Sequence, residues 1–312
     1  MDIVAKFGRD DLAVLYVAKK GDRYLEFAES LQPPHPRDEK WVLIISTMYG
    51  CPVHCIMCDA GSYYKCKLST DEIFEQIDYM VINRYPKGIV PIKKFKIQFA
   101  RMGEPTLNPN VLEVMRALPK RYPVKGLMPC ISTIAPEKGS SFMEELIWIK
   151  NQLYPHGNFQ LQFSIHTTDE RMRKKIIPYP IWSLKEINDY SERFYVKGDR
   201  KITLNFAAEK NYPVYPPKIA EIFDPTKFFI KLTPLNPTEA VKSKHLQSLI
   251  TSENDQHLKE LIKSFETLGF ETILSIGELE ENLIGSNCGQ HAIRFENGEM
   301  IVEKYSHNFQ IL

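Results

Sequence analysis

The sequence predicts an α/β fold, an open partial (β/α)6 barrel with a short N-terminal β extension and a C-terminal helix and hairpin. Three observations predict it. From Trp41 onward, apolar runs of strand length alternate with helical periodicities. Six runs are strand-like and each but the last is followed by a helical segment, which implies a parallel sheet with right-handed crossovers. Six units are too few to close an eight-fold barrel, and polar residues gather after the runs, at the strand ends where such barrels keep their chemistry.

In order along the chain, residues 12–31 read as two strands, LAVLYV and RYLEFAESL, about a Gly21-Asp22 turn. The charged, proline-rich stretch PPHPRDEK leads into the main body, so residues 1–40 form the extension and residues 41–240 the barrel. WVLIIST is a continuous apolar run, as expected of a strand buried on both faces. Ser69 and Glu72 form a capping box for a helix with Ile73, Ile77, Met80 and Val81 on one side. KFKIQFA, a helix around VLEVMRAL, GLMPCIST and a helix through FMEELIWIKNQL follow. Next come NFQLQFSIH, a helix opened by the Ser183–Glu186 capping box, KITLNFA, a short helix near PPKIAEIF, and KFFIKLTPL. Residues 241–312 read as an appendage. It holds a helix over 253–268 capped by Gly269, a strand FETILSI, and a hairpin AIRFE-NG-EMIVE turning on Asn297-Gly298.

The composition narrows the function. Of 312 residues, 43% are hydrophobic and 25% charged, ordinary values for a globular protein. A net charge of +1 supplies no global field for nucleic acid or membrane, so a basic contact surface must be local. The start lacks the layout of a signal peptide, and no apolar run reaches the roughly 18 residues of a membrane span. The expectation is a cytoplasmic protein with no membrane partner. The basic runs Lys93-Lys94-x-Lys96 and Arg171-x-Arg173-Lys174-Lys175 read as solvated surface.

Six cysteines remain: Cys51, Cys55, Cys58, Cys66, Cys130 and Cys288. In a reducing compartment, clustered thiols more often hold metal than form disulfides. Cys51-x3-Cys55-x2-Cys58 follows the first barrel strand, in a loop. Three thiolates so spaced can ligate three irons of a cubane cluster and leave the fourth iron open to a substrate. The alternative is a four-thiolate zinc site that recruits Cys66, although zinc ligands more often come as two separated pairs.

This triplet is the signature of the radical S-adenosylmethionine (SAM) superfamily, which the chain resembles. In that family a [4Fe–4S] cluster binds SAM at its open iron, and one electron from an external donor of flavodoxin or ferredoxin type cleaves it. The later strand ends carry Met102-Gly103-Glu104-Pro105-Thr106-Leu107-Asn108, Ser132-Thr133, Ser164-Ile165-His166-Thr167 and Pro234-Leu235-Asn236-Pro237, and the chain then runs to Asn287-Cys288-Gly289-Gln290. That ordered set resembles the RlmN/Cfr group of RNA methyl synthases, from about Trp41 to Gln290. The resemblance implies SAM contacts at Met57, Gly103, Glu104, Pro105, Ser132, Ser164, His166 and Asn236. It also implies that Cys288 is the catalytic methyl carrier.

Two departures stand out. The group's second catalytic thiol, seven residues before the first cluster ligand, is Ile44 here. Cys130, on the same strand face as Ser132, is a candidate replacement or simply core. Only about 40 residues precede the barrel, where the group has an RNA-binding domain. The expectation is therefore a radical SAM enzyme acting on an unactivated carbon, with RNA the less favoured substrate and a non-catalytic zinc- or cluster-stabilised protein as the contrasting reading.

Overall fold

A computed structural model describes residues 1–31, 35–250, 256–275, 290–298 and 310–311. The chain opens with three antiparallel strands, β1 (Asp2–Arg9), β2 (Ala13–Lys20) and β3 (Arg23–Ser30). The Gly21-Asp22 turn joins β2 to β3, with Lys20 paired to Arg23. β1 is an addition to the sequence reading. Its buried Ala5 and Phe7 alternate with more exposed neighbours, as in a strand with one buried face.

β3 pairs antiparallel with β4 (Lys40–Ile45), and from there the sheet runs parallel. β7 (Lys94–Phe99), β8 (Leu127–Thr133), β9 (Gln160–Ser164), β10 (Ile202–Ala208) and β11 (Phe228–Pro234) lie in chain order beside β4. Between them run α1 (Thr70–Arg84), α2 (Asn110–Arg121), α3 (Ser140–Leu153), α4 (Glu170–Ile176), α5 (Leu184–Phe194) and α6 (Pro216–Ile222). Both expected capping boxes form: Ser69 Oγ accepts from the Glu72 amide at 3.2 Å, and Ser183 Oγ from the Glu186 amide at 3.2 Å. α4 lies outside the sequence expectation; Asp169 caps it by accepting from the Arg171 and Met172 amides.

The parallel series extends past the expected six strands. After α7 (Glu239–Ser243) and α8 (Gln256–Thr267), β12 (Thr272–Leu274) pairs parallel with β11. The turn into it uses Gly269, with φ +88°. Thr272–Leu274 of FETILSI thus extends the main sheet beyond β11. A short hairpin, β5 (Met48–Gly50) with β6 (Tyr64–Lys67), brackets the cysteine loop.

The two faces of the parallel sheet differ. One face packs under the helices with Phe95, Ile97, Phe99, Ile131, Leu161, Phe163, Leu204, Phe206, Ile230 and Leu232, all in the main core. The other, inner face carries Lys94, Lys96, Gln98, Cys130, Ser132, Gln160, Gln162, Ser164, Asn205 and Lys231 at the alternate positions.

The expected C-terminal hairpin is corrected. Gln290–Glu296 is a helix, α9, and Asn297-Gly298 ends it as a turn, with Gly298 at φ +69°. A left-handed glycine suits a helix terminus as well as a type I′ turn, and a distant residue decides between them. Glu26 on β3 accepts from the His291 and Ala292 amides at 3.1 and 3.2 Å, capping the helix N-terminus. The second half of the expected hairpin, and Cys288, lie outside the described residues.

Candidate active site

The cysteine loop is shaped by its flanks. Gly50 has φ +77°, and a Cβ there would meet the Tyr63 carbonyl oxygen at 1.9 Å, so only glycine lets the hairpin close. The Cys51 amide donates to the Tyr63 carbonyl at 3.0 Å, and the Cys58 amide to the Cys55 carbonyl at 3.1 Å. Asp59 accepts from the Glu239 and Ala240 amides at 3.1 and 2.8 Å, which ties the loop to the start of α7. Thr238 Oγ1 donates to the Met57 carbonyl at 2.9 Å from the same side. Asn108, fully buried, donates to the carbonyls of Thr47 and Leu68 at 2.8 and 2.9 Å, so the last residue of the Gly-Glu-Pro stretch clamps both roots of the hairpin.

Over the C-terminal ends of the parallel strands lies a cavity of about 430 Å³. Its wall includes Cys51, Cys55 and Cys58 together with Met57, Gly103, Glu104, Ser132, Ser164, His166 and Asn236. All of these come from the sequence-derived set. Pro105 is the exception: it is buried behind Glu104, opening the short turn Pro105–Leu107. Cys66 stands apart on β6, where Arg23 Nη1 donates to its sulfur at 2.9 Å. Asn236 is exposed at the mouth.

Glu104 is held hard. Its Oε1 accepts from the Thr106 amide at 3.1 Å, Thr106 Oγ1 at 2.8 Å and Thr133 Oγ1 at 2.6 Å. Among the described residues its Oε2 accepts only from the Ile134 amide, at 3.0 Å, which leaves that oxygen with acceptor capacity. Burial pushes the carboxyl pKa up, and these hydrogen bonds pull it back. Gly103 before it has φ +96°, and a Cβ there would come within 2.7 Å of Met48 and 2.8 Å of Thr47 Oγ1. His166 is buried, its pKa lowered to about 4 by burial and then by the charge of Arg173, and its Nδ1 accepts from the Ala207 amide at 3.2 Å. The ring is neutral, with Nε2 carrying the proton.

The cavity also draws on residues outside the sequence-derived set: Arg101, Thr133, Gln162, Asn205 and Lys231. For Gln162, Asn205 and Lys231 the signal was the period-two polar alternation within NFQLQFS, KITLNFA and KFFIKLTPL, and Thr133 stands in the Ser132-Thr133 pair. Arg101 links the wall to the C-terminal helix, since its Nη2 meets Glu26 Oε1 at 2.5 Å and Glu26 caps α9. Cys130 lies lower on the inner face. It is in register with Gln98, as is Ile44, so Cys130 stands level with Ile44 two strands away, below the cavity wall.

No family model matches the chain. Among curated relatives it is similar to a probable dual-specificity RNA methyltransferase RlmN of Thermus thermophilus, 25% identical over 271 residues, which cover 83% of this chain and 69% of the relative. A probable RlmN of Thermotoga petrophila is 30% identical over 233 residues, 72% of this chain and 63% of that protein. The chain is similar to the RlmN group of the radical SAM superfamily. A solved radical SAM methyltransferase from Sphaerobacter thermophilus shares the fold, with a TM-score of 0.74 over 93% of this chain and 80% of that one, at 17% identity. The chain is thus a radical SAM enzyme of methyltransferase type, and its cofactors are a [4Fe–4S] cluster and SAM.

The donor set fits a radical SAM cluster. Burial, and then the neighbouring thiols, push the Cys51 and Cys55 pKa values far up, which makes ionising them costly in the free protein. Cationic iron would remove that cost by taking the thiolates. Among the described residues no three His, Cys, Asp or Glu side chains converge as ligands of one metal ion do. Cubane ligands each take a separate iron and stand further apart. With Cys66 engaged by Arg23, three thiols line the cavity and, among the described residues, no fourth completes a closed zinc site.

Proposed function

We propose that Cys51, Cys55 and Cys58 hold the [4Fe–4S] cluster, that the parallel sheet curves around it as a partial (β/α)6 barrel spanning residues 41–240, and that the enzyme modifies an unactivated carbon, with Cys288 as methyl carrier. The observation that carries this reading is the shared cavity wall of the three thiols, Glu104, Ser132, Ser164 and His166. When bound, the cluster supplies SAM with the electron that makes a carbon-centred radical. The chain does the rest. Glu104 Oε2 accepts a hydrogen bond from the methionine ammonium, a charge-assisted contact in a buried setting. Ser132, Ser164 and Asn236 offer hydroxyl and amide groups for ribose and carboxylate. Met57 offers an apolar surface to the adenine. Neutral His166 lines the wall as a donor through Nε2 without adding charge.

Support for Cys288 comes from its Cys-Gly-Gln context and from its place in the chain. It precedes by two residues the first residue of α9, whose N-terminus Glu26 ties to Arg101 of the cavity wall. A second reading has RNA as methyl acceptor, at an adenine as the resemblance implies; the names of the relatives support the RNA part of it. Against it stands Ile44 where the RlmN/Cfr group has a thiol.

Anaerobically reconstituted enzyme, reduced and given SAM, is expected to release 5′-deoxyadenosine. The peptide containing Cys288 is expected to gain the mass of one methylene. Release of 5′-deoxyadenosine with Cys288 never methylated, with or without RNA, would remove the carrier role and leave the cluster reading standing.

A further inference from the structure

The basic run Lys93-Lys94-x-Lys96, expected at the surface, is split by the alternation of β7. Lys93 is exposed, 76% accessible at its side chain, and lies 3.7 Å from Glu39. Lys94 and Lys96 turn to the inner face, and Lys96 is only 8% exposed. Register sets Lys40 of β4 beside Lys94. On the far flank Lys231 of β11 stands beside Asn205 of β10, and both reach the cavity wall.

These ammonium groups face one another. Lys231 is brought down to about 8 by burial and then by the charges of Lys96 and Lys40, and Lys40 to about 8 by burial, Lys96 and Lys94. Arg200, exposed just before β10, adds to the same field. Among the described residues, none of the four lysine side chains makes an ion pair or a hydrogen bond. Asn205, 8% exposed, has its amide oxygen buried without a partner. Lys96 is buried and the other three are partly sheltered, so gathering four unpaired like charges on one face works against folding stability. A ligand that neutralises them removes the cost.

We propose that this inner-face cluster binds the phosphate of a small phosphorylated substrate, holding it below the thiol-lined end of the cavity. A phosphate monoester, at about −1.5 to −2, matches several lysines better than a single carboxylate does. Lys231 lies two residues below Thr233 of the wall and Lys96 four below Ala100, about 7 to 13 Å at roughly 3.3 Å per residue. A molecule with phosphate at one end and its reacting carbon about 10 Å away spans that depth. Naming the cluster a substrate subsite rests on the reading of the cavity given above; anion binding itself does not.

Inorganic phosphate, titrated calorimetrically into the full-length, anaerobically reconstituted chain, tests it. Saturable binding is expected, weakened at least tenfold in Lys96→Met/Lys231→Met, while Lys96→Arg/Lys231→Arg, which keeps the charge, retains it. The Met variant is also expected to unfold at the same or a higher temperature than wild type without phosphate, which separates lost binding from lost folding. Equal phosphate affinity in wild type and the Met variant, or no binding at all, overturns the inference. Tighter binding of malonate than of phosphate overturns the phosphate assignment, and displacement of phosphate from these lysines by a short single-stranded RNA overturns the small-molecule one. Failed 5′-deoxyadenosine release with intact phosphate binding overturns the functional reading instead.

Discussion

The two faces of the parallel sheet are built from the same strands and do opposite work. On β7, Phe95, Ile97 and Phe99 go under the helices, while Lys94, Lys96 and Gln98 go to the inner face. On β9 the split is Leu161 and Phe163 against Gln160, Gln162 and Ser164. Parallel strands covered on both faces carry apolar residues on both, and β4, with its inward Val42 and Ile44, and β8, with its inward Met128 and Cys130, come nearest that rule. The difference teaches that the helix-covered face supplies the stability and the inner face spends some of it to keep polar groups ready for ligands.

That contrast can be broken most severely from the apolar side. Phe163 is fully buried, its ring centroid 6.4 Å from that of Tyr190. Phe163→Ala is expected to cost about 3–5 kcal/mol in denaturant unfolding, through lost transfer energy and a residual cavity. A loss below about 1 kcal/mol would mean that this face is loosely packed.

On the inner side, His166 gives a pH signature. Its folded pKa, about 4, lies below the unfolded value near 6.5, so the unfolded chain binds more protons between the two. The stabilisation from keeping the ring neutral is full above pH 6.5 and is lost as pH falls to 4, on the order of 3 kcal/mol. His166→Gln is expected to flatten the stability curve across that window, whereas an unchanged slope would show that the ring titrates freely.

The smallest expected effect concerns a single ligand contact. Glu104→Ala should weaken SAM binding by about 1.5–3 kcal/mol, the range for a hydrogen bond to a charged group. Unchanged affinity by calorimetry would take Glu104 out of the SAM site.

The legible features were local ones. The cysteine triplet and the Ser69 and Ser183 capping boxes depend on residues a few positions apart, and the structure brings the first to one cavity and forms the other two. Features decided by distant partners were not legible. Nothing near Asn297-Gly298 tells that Glu26, 265 residues before His291, will cap a helix there. Arg173 belongs to a basic run that looks solvated, yet it is fully buried, donating to the Ile134 carbonyl at 3.2 Å and to the Trp182 carbonyl. Lys94 and Lys96 misled for a related reason: whether a charged residue in a strand meets water or a sheltered face depends on what covers the sheet.

The central claim is that Cys51, Cys55 and Cys58 hold a catalytic cluster at the mouth of this polar face, and one measurement tests it most directly. Iron, sulfide and zinc are determined in the anaerobically reconstituted chain and in the variant with all three cysteines changed to alanine, alongside visible absorbance. The account predicts about four irons per wild-type chain, with iron–sulfur absorbance that the variant lacks. Stoichiometric zinc without that absorbance in the wild-type chain would contradict it.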